Sequence, residues 1–319
     1  MEIWKLEPVF KEYIWGGKRL KESFHAMTER ETVAESWVLA VHPDGTNTIA
    51  SGRFAGCSLG EVLQDRKYWG SYAGQFEFFP VMVKLIDAAQ DLSIQVHPSD
   101  ELSRLIEGQY GKSEVWYIVD ALPGATLYYG LCRDLGRDEF ESLLREGSIE
   151  AALNRVEIKP GDVFMVNAGT IHAICKGALI AEVQQNSNVT YRLYDYHRKD
   201  KNGNERQLHI DKAILATSLK ACVADGKPLS IRKEGDNVIT CVAKHKYFEA
   251  SVYTIRNHLN LPVDDRSFKN IVVLDGTVCV EGLTLFKGES AFIPACVGEA
   301  SIFGKGKILV TETSFDPGS

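Results

Sequence analysis

The 319-residue chain lacks the features that would assign it to several broad classes of protein. No uninterrupted apolar stretch approaches the ~18 residues that a membrane-spanning helix needs. There is no basic excess, since 36 Lys and Arg stand against 43 Asp and Glu. The resulting net charge of −7 argues against a general nucleic-acid binder, which usually carries a basic patch. We therefore expect neither membrane nor nucleic acid among its partners.

The sequence also has no CxxC pair and no N-terminal apolar run that would suggest a signal peptide. The seven cysteines are an odd number and include no CxxC pair, as is typical of reduced thiols. The opening MEIWKLEPVF carries charge from its second residue, unlike a secretory signal peptide. These features predict a cytoplasmic protein.

Short runs rich in β-branched and aromatic residues, bounded by Gly, Pro and Asp, dominate the chain. They predict strands, which we expect at 33–41, 114–119, 125–129, 162–166, 178–185, 247–255, 270–280 and 308–313. Three stretches with helical spacing interrupt them: one begins at an N-cap, Ser99, and the others span 138–153 and 208–219. A mainly β chain with helical insertions and no regular βαβ alternation favours a β-sandwich or jelly roll.

A weak internal repeat suggests two related β units. Residues 160–169 read PGDVFMVNAG and residues 287–296 read KGESAFIPAC, and in each a turn with Gly and an acid leads into a short apolar strand. Duplication and chance similarity between hairpins both fit this pattern. The first copy continues to His172, whereas Glu299 stands at the equivalent place in the second. With a linker near 224–228, we predict domains at 1–225 and 226–319.

Four polar residues of the first β block form a candidate metal site: Gln95, His97, Glu114 and His172. In LSIQVHP, apolar and polar residues alternate, so Gln95 and His97 point to the same face of a strand. Two His and a carboxylate are a common ligand set for catalytic Zn²⁺. The gaps of 17 and 58 residues match no local zinc signature, however, and a His is more often a surface or capping residue. From the residues alone, a solvated strand edge and a metal site both remain open.

A family resemblance favours the metal site. LSIQVHP, EVWY, GTIHAI and AEVQQNSNVTYRLYD occur in that order, and the chain resembles the short bacterial form of the type I mannose-6-phosphate isomerases, of the cupin superfamily. The resemblance runs from the opening at 13–17 to at least Asp195, and more loosely to the C-terminus. It implies two tandem jelly-roll (cupin) barrels with short helical insertions, of which only the first carries the metal. It also implies one Zn²⁺ per chain, held by Gln95, His97, Glu114 and His172.

The same resemblance implies an activity and further site residues. The activity is the interconversion of the sugar phosphates mannose 6-phosphate and fructose 6-phosphate through an enediol, in a monomer or homodimer. Arg192 matches the catalytic Arg of the family and suits enediolate oxygens, although a surface ion pair is the alternative. Lys112 is a proton-transfer candidate. Substrate contacts are expected from Lys84, Glu182 and Trp15, where Lys84 can instead make a structural ion pair and Glu182 can face outward.

Two departures from the family pattern leave the general base open. Gly111 stands where the longer members have a His, and Asn188 where an acid is common. Lys112, a zinc-bound water and His197 are the remaining candidates. Phosphate binding is open too, because no Gly-rich phosphate loop is present.

These departures also favour a rival hypothesis, a non-enzymatic cupin that senses a sugar or sugar phosphate. The presence of Arg192 together with all four ligand positions argues against it. A cupin oxygenase using Fe²⁺ would be expected to have a ligand set richer in His.

Overall fold

The computed structural model describes residues 2–200, 202–223 and 225–314, which form a mainly β structure. We number its strands β1 to β23 in chain order: Trp4–Glu7, Val9–Lys11, Glu35–Leu39, Val41–His42, Gly45–Thr46, Thr48–Ile49, Val81–Asp87, Ile94–Val96, Glu114–Ala121, Thr126–Leu131, Leu153–Glu157, Val163–Val166, His172–Ile174, Ala178–Gln185, Tyr191–Tyr194, Ser230–Glu234, Asn237–Lys244, Glu249–Ile255, His258–Val263, Lys269–Val280, Leu283–Phe286, Ser290–Ile293 and Gly298–Glu312. All the predicted strands are confirmed, and 33–41 is divided between β3 and β4.

The helices are short and lie between the strands. The α-helices α1 to α5 are Arg19–Glu22, Leu59–Val62, Asp100–Glu107, Arg137–Arg145 and Ile210–Ala216, and the 3₁₀ turns are Gly52–Phe54, Arg66–Tyr68, Ala73–Gln75 and Ile149–Ala152. The Ser99 hydroxyl accepts a hydrogen bond from the Leu102 N–H at 3.3 Å, which confirms the predicted N-cap. The helix predicted over 138–153 is wrong in its second half, because Gly147, at φ 68°, ends the helical path.

Two antiparallel sheets from the first two thirds of the chain pack face to face. One has the strand order β12-β9-β14-β7-β3-β2 and the other β11-β10-β13-β8-β15. Their facing side chains share one apolar core, to which Trp116 and Ile180 contribute from the first sheet and Leu127 and Ile174 from the second. The burial of these side chains, roughly 1.5–3 kcal/mol for each aliphatic or Phe residue, holds the sheets together.

The central strands of the first sheet are buried on both faces, which explains their nearly continuous apolar sequences. In β7, Val83 and Leu85 point to an outer core, while Lys84 and Ile86, which alternate with them, point toward the second sheet. The outer core is completed by residues of the C-terminal sheet, such as Leu309. Lys84 is thereby held on the inner face of a strand that packs on both sides.

The third large sheet contains all eight described strands of residues 230–312 and two strands from the N-terminal region. Its main order is β16-β17-β18-β23-β20-β22-β1-β6, with β19 beside β23 and β21 beside β20. In β1, Trp4 pairs with Phe292 of β22, and their rings stack at 5.6 Å. The boundary at residue 225 remains a prediction, and Ala224 of the predicted linker lies outside the described residues.

The repeated segments form matching strands. In the first copy Gly161 (φ 94°) precedes β12, and in the second Gly288 (φ 90°) precedes β22. Glu299, at the position equivalent to His172, is exposed in β23.

The pairing of β1 leads to a stability prediction. Trp4 is 1% exposed and contacts the rings of Phe292, Tyr68 and Phe54. Trp4→Ala is expected to lower the free energy of unfolding by about 3–5 kcal/mol, measured by urea denaturation. Phe303→Ala, at a ring that is 53% exposed, is the control and should cost much less. Equal losses in the two variants would contradict the packing of β1 on the C-terminal sheet.

Candidate active site

Three buried side chains place their potential ligand atoms around one point. His97 Nε2 is 3.4 Å from Glu114 Oε2, and His172 Nε2 is 3.6 Å from Glu114 Oε1. All three ligand atoms lie within 4.8 Å of one another, and the three side chains are 0–1% exposed. Gln95 Nε2 lies 3.3 Å from His172 Nε2. The structure therefore brings together the four residues expected to bind a metal.

Strand pairing and two backbone carbonyls hold these side chains in place. His172 of β13 is the register partner of Gln95 in β8, and Glu114 of β9 is the partner of Gln184 in β14. His97 Nδ1 lies 2.9 Å from the Val189 carbonyl, and His172 Nδ1 lies 2.9 Å from the Thr170 carbonyl. Because a carbonyl only accepts, each Nδ1 carries the proton and each Nε2 directs a lone pair toward the cluster.

The protonation states of the cluster are those that metal binding requires. Burial, together with the Lys112 ammonium, lowers the pKa of His97 to about 3, and burial also lowers the pKa of His172. Burial alone would raise the pKa of Glu114, but the Lys112 ammonium beside it outweighs burial and holds that pKa well below its usual range. Two neutral imidazoles and an ionised carboxylate result.

The Lys112 ammonium lies directly beside the cluster. Its Nζ is 2.6 Å from Glu114 Oε2 and 3.1 Å from His97 Nε2. Lys112 therefore contacts two of the candidate ligands and also lines the neighbouring cavity.

A cavity of about 320 Å³ opens beside the metal cluster. Its walls include six of the nine residues predicted for the site: Trp15, Lys84, Gln95, Lys112, Glu182 and Arg192. The other three, His97, Glu114 and His172, are buried immediately behind it. A larger cavity of about 660 Å³ has Ser36 and Leu85 in its wall, so it lies on the opposite face of β3 and β7, away from these groups.

A buried ion network forms one wall of the cavity. Lys84 Nζ lies 3.4 Å from Glu35 Oε2 and 3.7 Å from Glu182 Oε1. Although burial lowers the pKa of Lys84, the two carboxylates outweigh this effect and raise it. Burial raises the pKa of Glu182, and Glu114 nearby adds to the rise. The ion pair considered for Lys84 is present, and Glu182 faces the cavity rather than solvent.

Arg192 enters the cavity from the opposite sheet. It lies in β15 as the register partner of Gln95, so it is next to the candidate metal ligands. Its backbone N–H donates to Nδ1 of His209 at 3.1 Å, and its carbonyl accepts from the His209 N–H at 2.8 Å. Among the described residues, no carboxylate forms an ion pair with its guanidinium.

The structure accounts for the two departures from the family pattern and for the position of His197. A Cβ at Gly111 would lie 2.5 Å from both Asp100 N and Ser99 C, so the backbone at the start of α3 leaves no space for a side chain. Asn188 donates to Asp44 Oδ2 at 2.7 Å at the cavity wall. His197 is 75% exposed and lies 3.5 Å from Glu205. It does not line the cavity.

Several cavity residues were not found from the sequence. Glu35, Arg206 and His209 line the cavity. Glu35 lies in an ordinary apolar strand, Arg206 lies in a segment after β15 without clear periodicity, and His209 lies at the start of the stretch predicted to be helical. Only the pairing of distant segments reveals their common position.

Comparisons with known proteins agree with this geometry. Residues 3–117 match the family model of the phosphomannose isomerase type I catalytic domain. YvyI of Bacillus subtilis is 36% identical over 312 residues, which cover 96% of this chain and 97% of YvyI. Mannose-6-phosphate isomerase ManA of the same organism is 34% identical, with 96% of this chain and 97% of ManA covered. The crystal structure of the mannose 6-phosphate isomerase from Bacillus subtilis superposes with a TM-score of 0.88 at 35% identity, covering 98% of this chain and 99% of that one.

The fold and site define a mainly β protein with a buried cluster able to hold a metal beside a polar cavity. The extent of these matches shows that the chain belongs to the type I phosphomannose isomerase family. Within the part of the chain that is described, no helix is long and apolar enough to cross a membrane.

The crowding at Gly111 gives a second stability prediction. Gly111→Ala places a methyl group against backbone atoms that cannot rotate away, and it should cost about 1–3 kcal/mol of unfolding free energy. Gly74→Ala is the control, because a Cβ there meets nothing within 4 Å. Thermal unfolding of both variants measures the difference. An unchanged transition for Gly111→Ala would show that the start of α3 can yield to a side chain.

Proposed function

We propose that this chain is a zinc-dependent aldose–ketose isomerase that interconverts mannose 6-phosphate and fructose 6-phosphate. The observation that carries the proposal is the buried cluster of His97, Glu114 and His172 at a cavity that also contains Arg192 and Lys112. The names of the relatives agree with this activity: ManA and the solved Bacillus subtilis structure are both called mannose-6-phosphate isomerase.

The residues present fit a bound cation. Among the described residues, Oε1 of the buried Glu114 has no hydrogen-bond partner, and Oε2 is paired only with the Lys112 ammonium at 2.6 Å. A buried carboxylate oxygen without a partner is costly unless it binds a metal. The two Nε2 lone pairs face the same point. Two His and one carboxylate suit Zn²⁺ and leave room for a further ligand. Gln95 would complete the set through its amide oxygen, since the two ends of an amide have nearly the same shape.

Zn²⁺ in this site would polarise a carbonyl or hydroxyl oxygen of the sugar and favour the enediol. The Arg192 guanidinium is permanently charged and has no carboxylate partner among the residues that the structure describes, so it can stabilise the negative charge that develops on the enediolate oxygens. Lys112 is suited to hold or move a proton at Nζ, which reaches both the cavity and the cluster. The lone pair of His97 Nε2 can go to Lys112 or to a metal, but not to both.

The buried ion network on one wall of the cavity is proposed to orient the substrate. Lys84 is fixed between Glu35 and Glu182, and Glu182 also accepts from the Trp116 indole N–H at 2.9 Å. Groups held in this way can orient sugar hydroxyls without rearranging. Trp15, whose ring stacks on Tyr13 at 5.4 Å, would give the sugar an apolar surface.

The architecture is part of the proposal as well. We infer two tandem jelly-roll barrels, with the metal site in 1–225 and a metal-free unit in 226–319. The matching strands of the repeat and the exposed position of Glu299 support this reading.

Metal dependence is tested by an assay for fructose 6-phosphate formed from mannose 6-phosphate. Untreated protein, chelated protein and chelated protein with zinc restored are compared. Activity should disappear on chelation and return with zinc, because the enediol would lose its main source of positive charge. Folded, zinc-loaded protein without activity would contradict the proposed function, and full activity in metal-free protein would contradict the role of zinc.

The ligand set is tested by metal content, independently of turnover. His172→Ala removes one of the converging lone pairs, so the variant should lose most of its zinc after dialysis. His258→Ala, at an exposed His far along the chain, is the control and should keep the wild-type content. Equal zinc in both variants would place the metal elsewhere.

Arg192→Ala should lower kcat by about 10²–10³-fold, the usual cost of removing one group that stabilises an oxyanion. Zinc content should not change, because Arg192 is not among the ligands. Arg145→Ala, at a side chain that is 75% exposed on α4, is the control. A normal kcat in the Arg192→Ala variant would show that other groups stabilise the oxyanion.

A further inference from the structure

Three arginines and one carboxylate extend from Arg192, next to Gln95, to the end of the cavity that the segment after β15 forms. We call Arg192, Arg198, Arg206 and Asp195 the arginine cluster. Arg206 donates to Asp195 through two nitrogens, Nε at 2.7 Å and Nη2 at 2.6 Å, and Arg198 donates to the same carboxylate. The two guanidiniums lower the pKa of Asp195 and keep it ionised, although burial alone would raise it.

The cluster contains more positive charge than its carboxylate can balance. The cluster contains three permanently charged guanidiniums and one carboxylate, that of Asp195, so two positive charges are not balanced. The cations on the opposite wall differ, because Lys84 has two carboxylates and Lys112 has Glu114. Two unbalanced charges in a partly buried site are unfavourable unless an anion joins them.

The three arginines differ in what they offer to a ligand. Arg198 also donates to the Asp91 carbonyl, lies over the Tyr196 ring and does not line the cavity. Arg206 does line the cavity, and among the described residues its Nη1 has no acceptor. The bidentate contact with Asp195 fixes the plane of Arg206 and leaves this nitrogen for a ligand.

His209 adds a neutral donor at the same place. Its Nδ1 accepts from the Arg192 N–H, so its proton lies on Nε2. It also lines the cavity. A dianion with several acceptor oxygens matches a group made of donors that carry two excess charges.

We propose that Arg206, positioned by Asp195, binds the phosphate of the substrate at the arginine-cluster end of the cavity, with His209 as a second donor. This assignment rests on the proposed function, since it concerns how the same cavity recognises a sugar phosphate. Arg192 remains beside the metal ligands, where its register partner Gln95 places it.

The experiment compares Arg206→Met with Arg198→Met in the zinc-loaded enzyme. Arg206→Met should raise the KM for mannose 6-phosphate, and the inhibition constant for inorganic phosphate, by about 10–100-fold, the usual effect of losing a hydrogen bond to a charged group. Its kcat should stay close to wild type, because the reacting carbons are at the other end. Arg198→Met removes a charge of the same cluster but no cavity contact, so it should raise both constants much less than Arg206→Met does.

Three further measurements separate the loss of a phosphate contact from misfolding of the variant and from failure of the proposed function. Circular dichroism establishes that both variants are folded, and Arg206→Lys should recover part of the affinity because it restores the charge. Unchanged KM and phosphate inhibition in folded Arg206→Met would overturn the assignment. If the wild type does not isomerise mannose 6-phosphate, calorimetry with inorganic phosphate still decides: binding weakened by Arg206→Met supports the site, and binding unaffected by it refutes the site.

Discussion

The ionised carboxylate of Glu114, fully buried between two imidazoles, is the constraint on which the rest of the site depends. A charge of this kind is tolerated in a protein interior only beside a compensating cation. Lys112 supplies one, and the lone pairs of His97 and His172 provide for a second. The backbone carbonyls behind both imidazoles, at Val189 and Thr170, fix the rings so that these lone pairs converge. Each of these partners comes from a different strand or turn, so the cluster exists only when two sheets are in register.

That register is maintained by apolar packing away from the site. The central strands of the first sheet turn alternate residues toward the cavity and toward an outer core shared with the C-terminal sheet. An outer residue such as Val83 or Leu85 therefore contributes to the position of Lys84 between them. The N-terminal strand β1, which pairs with β22, ties the beginning of the chain to that covering sheet. In this arrangement the C-terminal region acts on the site through the rigidity of the sheet between them.

The sequence predicted the strands well, and together with the family resemblance it singled out the four candidate ligands that the structure brings together. The alternation of apolar and polar residues in LSIQVHP and the N-cap at Ser99 depend only on neighbouring residues, so both can be predicted without knowing the fold. The helix over 138–153 failed at Gly147 because a positive φ at one residue outweighs the apolar spacing around it. Glu35, Arg206 and His209 could not be predicted, since their place at the cavity depends on which distant strands pair. The assignment of zinc and of Arg192 came from family resemblance rather than from spacing.

The distribution of charge along the cavity has a consequence for how a sugar phosphate would be oriented. At the metal end, three carboxylates, from Glu35, Glu114 and Glu182, face two ammonium groups, so the side chains alone carry one excess negative charge. A divalent cation there would change this to one excess positive charge. Arg198 and Arg206 also leave one excess positive charge after Asp195, and Arg192, which is next to Gln95 and interacts electrostatically with Arg206, belongs to both ends. Without the metal a phosphate dianion is therefore drawn to the arginine cluster; with the metal bound the two net charges are equal, and the carboxylates near the metal still repel the dianion. The same distribution of charge would direct the uncharged carbonyl end of the sugar toward the candidate metal site, where we propose that the proton transfer takes place.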